Sequence, residues 1–179
     1  AERHWFGGDP LRTAMVDASA SELADTRVAQ PVLFAVEFAL TQLWRTWGVE
    51  PTEMLGHSLG EYVAATVAEV FSLEHALRAV CARARLMSEL PGGRMLAVPL
   101  PEAELDAVME DGLEVAAINA SERCVVAGSA EAVERARHRL AERDVEARLL
   151  ATSHAFHTSA MEPMLRPFAE VLAGLDLHP

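Results

Sequence analysis

A serine flanked by two glycines carries the clearest chemical potential in this sequence. In Met54-Leu55-Gly56-His57-Ser58-Leu59-Gly60-Glu61 an apolar run breaks at Gly56, presents Ser58 and turns at Gly60 into a helix-forming stretch. The G-x-S-x-G pattern is that of a nucleophile elbow, in which the chain passes so sharply from strand to helix that the serine backbone is strained and its neighbours must be small. Such a turn sets the Ser58 hydroxyl at a helix N-terminus, where unpaired N–H groups and the helix dipole favour a developing negative charge. The Leu59 N–H is the candidate oxyanion donor. The same pentapeptide also fits an ordinary strand-to-helix turn, so other residues must discriminate.

A serine nucleophile needs a base, and the chain offers His4, His57, His75, His138, His154, His157 and His178. His57 directly precedes the serine, and its side chain is expected to point away from the hydroxyl, towards a pocket wall or a structural hydrogen bond. His75 and His138 sit among charged residues on helical stretches and read as surface. His154 and His157 share a polar loop, Ser153-His154-Ala155-Phe156-His157-Thr158, and His157 is preferred as the group that takes the Ser58 proton and returns one to the leaving group. Two loop histidines without a ligand remain the bland alternative. Arg83, in Cys81-Ala82-Arg83-Ala84-Arg85-Leu86-Met87, is a candidate carboxylate ligand if it faces inward, with Arg85 about 200° round the helix. Read locally, both arginines also fit a solvated helix face.

These groups must be positioned by elements legible from periodicity. Val32, Leu33, Val36, Leu40, Leu43 and Trp44 recur at helical steps from Gln30 to Trp47, an amphipathic helix whose apolar stripe reads as core. A short strand is expected at Glu53–Gly56, then helices over 58–70 and 73–90, ended by Pro91-Gly92-Gly93. Shorter units follow: strand 94–98, helix 102–109, strands 113–118 and 123–127, helix 130–143 and strand 146–150, the βαββαβ order of a ferredoxin-like sheet. A last helix is expected over 161–172. The lead-in Ala1–Leu11 has no clear period. The expected fold is α/β, with a hydrolase-like parallel-sheet main lobe over 1–92, an inserted ferredoxin-like lobe over 93–151, and a return to the main lobe over 152–179 that carries the histidine.

The 179 residues include 15 Lys and Arg against 27 Asp and Glu, a net charge of −12 that repels nucleic acid and anionic membrane over most of the surface. An anionic small substrate then needs a local cation, which sharpens the interest of Arg83. Cys81 and Cys124 form no C-x-x-C pattern and read as reduced, buried thiols of a cytoplasmic protein. No apolar stretch reaches the length of a membrane span, and no signal peptide is evident.

Together these segments resemble the acyltransferase domain of a modular type I polyketide synthase and are similar to malonyl-CoA:acyl-carrier-protein transacylases. The resemblance rests on Gly56-His57-Ser58-Leu59-Gly60-Glu61, Arg83-Ala84-Arg85-Leu86-Met87, Ala117-Ile118-Asn119-Ala120 with Val125-Val126-Ala127-Gly128, and His154-Ala155-Phe156-His157, spread over nearly the whole chain. It implies Ser58 as nucleophile, His157 as base, Arg83 as ligand of the malonyl carboxylate, Leu59 N–H as an oxyanion donor, and Gln30 and His57 in the substrate site. Phe156 in His-Ala-Phe-His resembles the malonyl-selective form and would fill the space an α-methyl needs. Val28 stands where the family usually has an aromatic residue. The resemblance further implies no resident cofactor or metal, malonyl-CoA as acyl donor, and the phosphopantetheine thiol of an acyl carrier protein as acceptor. Neighbouring synthase domains such as a ketosynthase would be partners. The family's Gly-Gln-Gly oxyanion loop and a later segment that orients the histidine are not found, so a domain truncated at both ends is expected. The rival readings are an α/β-hydrolase-type thioesterase, which needs an acid between serine and histidine, and a catalytically silent fragment.

Overall fold

The computed structural model describes residue 17 and residues 19–178; the lead-in Ala1–Leu11, with His4, lies outside them. The chain divides into two compact units, one comprising residues up to Leu86 together with those from Pro167, the other Met87–Arg166. This division differs from the expected one at Pro91-Gly92-Gly93. The helix that ends the first stretch runs on to Ser88, so the division falls within a helix rather than at the glycines.

The first unit is built from helices. A one-turn helix α1 (Ala20–Leu23) starts at a capping box, with Ser19 and Glu22 satisfying each other's backbone N–H groups. Asp25 then caps α2 (Thr26–Thr46) by accepting from the Arg27 N–H at 2.9 Å, which starts the helix four residues earlier than periodicity suggests. After an irregular stretch come α3 (Gly60–Val67) and α4 (Leu73–Ser88), and the C-terminal part of the chain contributes α6 (Glu162–Ala173). Phe34 of α2, Leu59, Val63 of α3, and Ala76 and Val80 of α4 form the core, flanked by Tyr62 and Phe71. Phe71 also bridges Leu177, and the His178 N–H donates to the Val70 carbonyl at 3.0 Å.

Two expectations for this unit need correction. Residues 53–56 form no strand, and among the described residues the unit contains no strand ladder; Leu55 is 95% exposed. A strand is defined by its hydrogen-bonded neighbour, which an apolar run cannot supply by itself. The apolar stripe of α2 is also not the buried one. Leu33, Leu40, Leu43 and Trp44 are exposed, while Gln30, Pro31 and Phe34 are buried. Hydropathy marks which side chains avoid water, not which face has a neighbour.

The second unit is organised by a four-stranded antiparallel sheet, β1 (Arg94–Val98), β2 (Leu113–Ala120), β3 (Arg123–Gly128) and β4 (Arg148–Leu149), in the order β2-β3-β1-β4. The connection after β1 is a 3-10 helix, Glu102–Ala107, where an α-helix was expected; α5 (Ala130–Ala141) links β3 to β4. Alternation along β1 and β3 gives the sheet two buried faces. Leu96, Val98, Cys124 and Val126 pack on Leu105 and Val108 and on Val133, Ala136 and Leu140 of α5. Met95, Val125 and Ala127 pack on Ala155, with Phe156 alongside. The histidine loop is thus laid against the second face of the sheet. Its approach is so close that a methyl group on Gly93 would lie 2.7 Å from the Ala155 nitrogen.

No helix among the described residues is long and apolar enough to cross a membrane. Both cysteines are free, and burial pushes the Cys81 thiol up to about 11. A thiol ionises near pH 8.5 in an unfolded chain, so the neutral buried form favours folding fully below that value, and this contribution is lost as pH rises through the interval up to about 11. Alkylation of Cys81 by iodoacetamide at about pH 8 is expected to be slow in the native protein and fast in denaturant, because the thiolate is the reactive form. Equal rates by peptide mass mapping would contradict this.

Candidate active site

The turn around Ser58 is held by backbone contacts. Ser58 adopts φ 52°, a left-handed conformation that costs a non-glycine residue on the order of 1–3 kcal/mol. Its neighbours lock it in place: the Gly60 N–H donates to the His57 carbonyl at 3.0 Å, the Glu61 N–H to the Ser58 carbonyl at 3.3 Å, and the Tyr62 N–H to the Leu59 carbonyl at 3.0 Å. The Glu61 carboxylate reaches back to accept from the Gly56 N–H at 3.0 Å. Leu59, whose side chain is buried in the core, anchors the start of α3. Its N–H belongs to the first turn, where the helix offers no acceptor of its own.

The two glycines of the motif differ in what they must do. A methyl group on Gly56 would lie 2.1 Å from the Glu61 nitrogen and 2.2 Å from the Gly60 carbonyl carbon. At Gly60 its nearest neighbour is a Glu37 carboxylate oxygen at 3.9 Å. Small size is therefore demanded before the serine and not after it, a correction to the symmetrical demand the motif suggests.

Arg83, Gln30 and Ser58 come together in the first unit. Arg83 projects from α4 with its guanidinium half-buried, while Arg85 is exposed. One terminal nitrogen of Arg83 donates to the Gln30 side-chain carbonyl; the other lies 3.5 Å from Ser58 Oγ, the long limit of a hydrogen bond. Gln30, 9% exposed, is oriented by its amide nitrogen, which donates to Thr26 Oγ1 at 2.6 Å. The guanidinium carbon sits 5.8 Å from the centre of the Tyr62 ring. Burial pulls Arg83 below its ordinary value, with Tyr62 pushing back, but a guanidinium starts so high that it stays charged. Among the described residues its partners, Gln30, Ser58 and Tyr62, are all neutral. The arrangement places a desolvated positive charge beside a hydroxyl on a strained turn, which suits an anionic group held next to a nucleophile.

His57 is exposed and lines a groove of about 470 Å3 with Glu37, Thr41, Leu55 and Val63, on which Ser58 does not border. A larger concavity of about 650 Å3 in the same unit, between Arg27, Arg78, Cys81 and Arg85, includes neither Ser58 nor Arg83. Its Arg27 is already paired with Asp25 at 2.6 Å. Neither of these two hollows includes Ser58.

His154, Phe156 and His157 belong to the second unit, which separates the two loop histidines by role. His154 is 8% exposed, with Nδ1 2.7 Å from Ser153 Oγ and Nε2 3.2 Å from the Leu90 carbonyl. A carbonyl only accepts, so Nε2 carries the proton, donates to Leu90 and leaves Nδ1 to accept from the serine hydroxyl. Both nitrogens are engaged in structure. His157 is exposed and, like Ser58, has a positive φ, 63°. Among the described residues the other two non-glycine residues with positive φ, Glu69 and Asp144, both follow helix C-termini, where that conformation is ordinary. The His157 backbone is clamped on one side by Ala155 and Phe156 on the sheet, and on the other by Thr158. The Thr158 hydroxyl donates to the Ala155 carbonyl at 2.7 Å and caps the short 3-10 helix Ser159–Met161. Phe156 is half-buried, its ring 5.8 Å from that of His154.

Glu61, Tyr62 and Thr26 contribute to these arrangements and were not singled out from sequence. Tyr62 could have been, since it lies four residues after Ser58 and one turn along the same helix face. Thr26 and Gln30 are likewise four apart on α2. Among the described residues no group of His, Cys, Asp and Glu could hold a metal ion.

The chain matches known proteins along nearly its whole length. The family described as "Acyl transferase domain" matches residues 10–178. A relative, the mycoketide-CoA synthase of Mycobacterium tuberculosis, is 44% identical over 169 residues, covering 94% of this chain and 4% of that protein. The polyketide synthase GfsA of Streptomyces halstedii is 42% identical over 176 residues, covering 96% of this chain and 2% of that protein. The chain therefore spans a small part of these relatives. The acyltransferase domain from the second module of the salinomycin polyketide synthase superposes with a TM-score of 0.88 at 44% identity, over 98% of this chain and 42% of that one. The malonyl CoA-acyl carrier protein transacylase of Burkholderia pseudomallei gives 0.89 at 31% identity, over 98% and 62%.

The unequal demand at the two motif glycines is testable by substitution. Gly56→Ala is expected to destabilise the first unit by about 2–4 kcal/mol or prevent folding, whereas Gly60→Ala, at a helical position, changes stability by less than about 1 kcal/mol. Thermal denaturation followed by circular dichroism decides, and equal losses would overturn the distinction.

Proposed function

Because the chain belongs to the acyl transferase domain family, we propose that it moves a malonyl unit from CoA to the phosphopantetheine thiol of an acyl carrier protein within a polyketide synthase. The observation that carries the reading is Arg83, a desolvated guanidinium with neutral partners 3.5 Å from Ser58 Oγ. A malonyl thioester has an anionic end for that charge and an electrophilic carbonyl for the serine. Two parallel N–H donors grip a carboxylate well, and neutral acyl groups would leave the buried charge uncompensated.

In this reading Ser58 Oγ attacks the thioester carbonyl while His157 takes the hydroxyl proton. The oxyanion is met by the Leu59 N–H, the C–S bond to CoA breaks, and the proton passes from His157 to the departing thiolate. The second half reverses the roles: His157 removes the proton of the pantetheine thiol, its sulfur attacks the Ser58 ester, and the serine recovers its proton. No metal or redox cofactor enters this balance. Gln30 would orient Arg83. Phe156, wedged between the sheet face and His154, would disfavour an α-methyl on the extender unit; one methyl is worth about 1–3 kcal/mol in a pocket. His57, on its separate groove, has less support as a substrate contact than Arg83 or Gln30. The acyl carrier protein and adjoining domains such as a ketosynthase would be partners, in the cytoplasm.

Intact-mass spectrometry tests the proposal. Malonyl-CoA is expected to add one malonyl group, absent in Ser58→Ala, and the group should pass to a carrier protein faster than it is lost to water. Rapid hydrolysis without transfer would favour a thioesterase. Arg83→Ala is expected to lower malonyl loading by about 10²-fold, and His157→Ala by about 10²–10⁴-fold. Undiminished malonyl loading in Arg83→Ala would overturn the carboxylate role.

A further inference from the structure

Arginine is a flexible ligand, and a guanidinium that is to grip a small carboxylate must be held before the substrate arrives. Its long stem carries about 2 kcal/mol of rotamer entropy, all of which opposes binding if ordering waits for the ligand. Gln30 fixes one terminal nitrogen of Arg83, but a single hydrogen bond leaves the group free to swing about that contact. A second restraint comes from Tyr62. Its ring lies 5.8 Å from the guanidinium carbon, within reach of a cation–π contact, and its hydroxyl is near enough for the guanidinium to favour the ionised phenol.

Tyr62 is itself held. It stands on α3 one turn after Ser58, so the helix that begins at the strained serine also carries the tyrosine. Its ring stacks on Phe71 with centroids 6.3 Å apart and meets Phe168 at 6.4 Å. These contacts would serve a phenylalanine equally well. The hydroxyl is the part that core packing does not need, and it lies near enough to the guanidinium for each group to shift the other's ionisation. Burial pushes the phenol above its ordinary value, with Arg83 pulling it back, so Tyr62 remains neutral and leaves the arginine charge intact for a ligand.

We propose that Tyr62 is a positioning residue for the acyl-group site: with Gln30 it clamps the Arg83 guanidinium against Ser58, and it thereby sets the preference for a carboxylated acyl group. The inference rests on the reading of Arg83 as carboxylate ligand. It further implies that α3 couples the two parts of the reaction, since one helix carries both the nucleophile's turn and the restraint on the specificity arginine.

The test compares Tyr62→Phe, Tyr62→Leu and Arg83→Ala with the parent protein, reading initial rates of Ser58 acylation by malonyl-CoA and by acetyl-CoA. The malonyl-to-acetyl ratio is expected to fall about threefold in Tyr62→Phe, which loses only the hydroxyl. It should fall roughly ten- to thirtyfold in Tyr62→Leu, which also loses the ring. The change should lie in KM for malonyl-CoA more than in kcat. A tyrosine with only a packing role would lower both rates by one factor and leave the ratio unchanged; that result overturns the proposal. If Tyr62→Leu does not fold, Tyr62→Phe decides alone, because it keeps the stacking. An unchanged ratio in Arg83→Ala would sink the underlying reading. A collapsed ratio in Arg83→Ala with unchanged ratios in both Tyr62 variants would sink the positioning role alone.

Discussion

The site depends on one backbone dihedral. At φ 52° Ser58 cannot be part of a strand or a helix, and it is this conformation that lifts its hydroxyl out of the chain path to the start of α3. Strain of on the order of 1–3 kcal/mol persists only where the surroundings over-determine it. Here the restraint is local: the Gly56 N–H is tied to the Glu61 carboxylate five residues on, while the two backbones approach too closely for any side chain at position 56. Burial of Leu59 and Val63 then fastens the first turn of α3 to the core. The energy that sustains the Ser58 turn is thus drawn from the packing of its neighbours.

The second constraint is the half-buried charge of Arg83, best understood against arginines elsewhere in the chain. Arg135 and Arg139 both bind the half-buried Glu110, and Arg27 binds its neighbour Asp25. In those groups charge is already balanced, so a further anion gains little. Arg83 instead meets an amide carbonyl and a hydroxyl, which satisfy hydrogen bonds without cancelling charge, and the neutral ring of Tyr62. Neutral partners lower the cost of desolvating the guanidinium while leaving its Coulombic attraction for a ligand carboxylate in place. A carboxylate in place of Gln30 would neutralise the guanidinium and leave it little attraction for a further anion.

Periodicity and turn chemistry made much of the fold legible. The strands at 94–98, 113–120 and 123–128 and the helix at 130–141 fall where alternation and helical spacing indicated, because each signal is local and the sheet pairs within one short stretch. The segment 53–56 and the outer face of α2 depart from expectation for the opposite reason: pairing and burial are properties of a neighbour, and Leu55 or Trp44 carries no record of whether one is present. At the site, the helical wheel indicated only that Arg83 and Arg85 point to different sides of their helix; that Arg83 is the half-buried one and Arg85 the exposed one depends on what packs against that helix. The motif could not reveal that Gly56 is sterically required and Gly60 is not, since that depends on a backbone approach across five residues. Spacing does place Tyr62 one turn after Ser58, but its aromatic ring reads as core until its distance from Arg83 is known.

The loop histidines show why a pair of equal candidates in sequence becomes unequal in a fold. A general base must have a nitrogen lone pair to offer, and a buried imidazole with both nitrogens bonded has none to spare. His154 is bonded to Ser153 on one side and to the Leu90 carbonyl on the other, and its ring packs against Phe156. That fixed ring, with Ala155 pressed against Gly93 and the sheet, gives the loop a rigid floor. From such a floor His157 can be held at φ 63° with its side chain exposed. His154 therefore supports the backbone conformation of its neighbour, just as Leu59 supports Ser58: in both turns a residue that packs sustains the positive φ of a residue beside it.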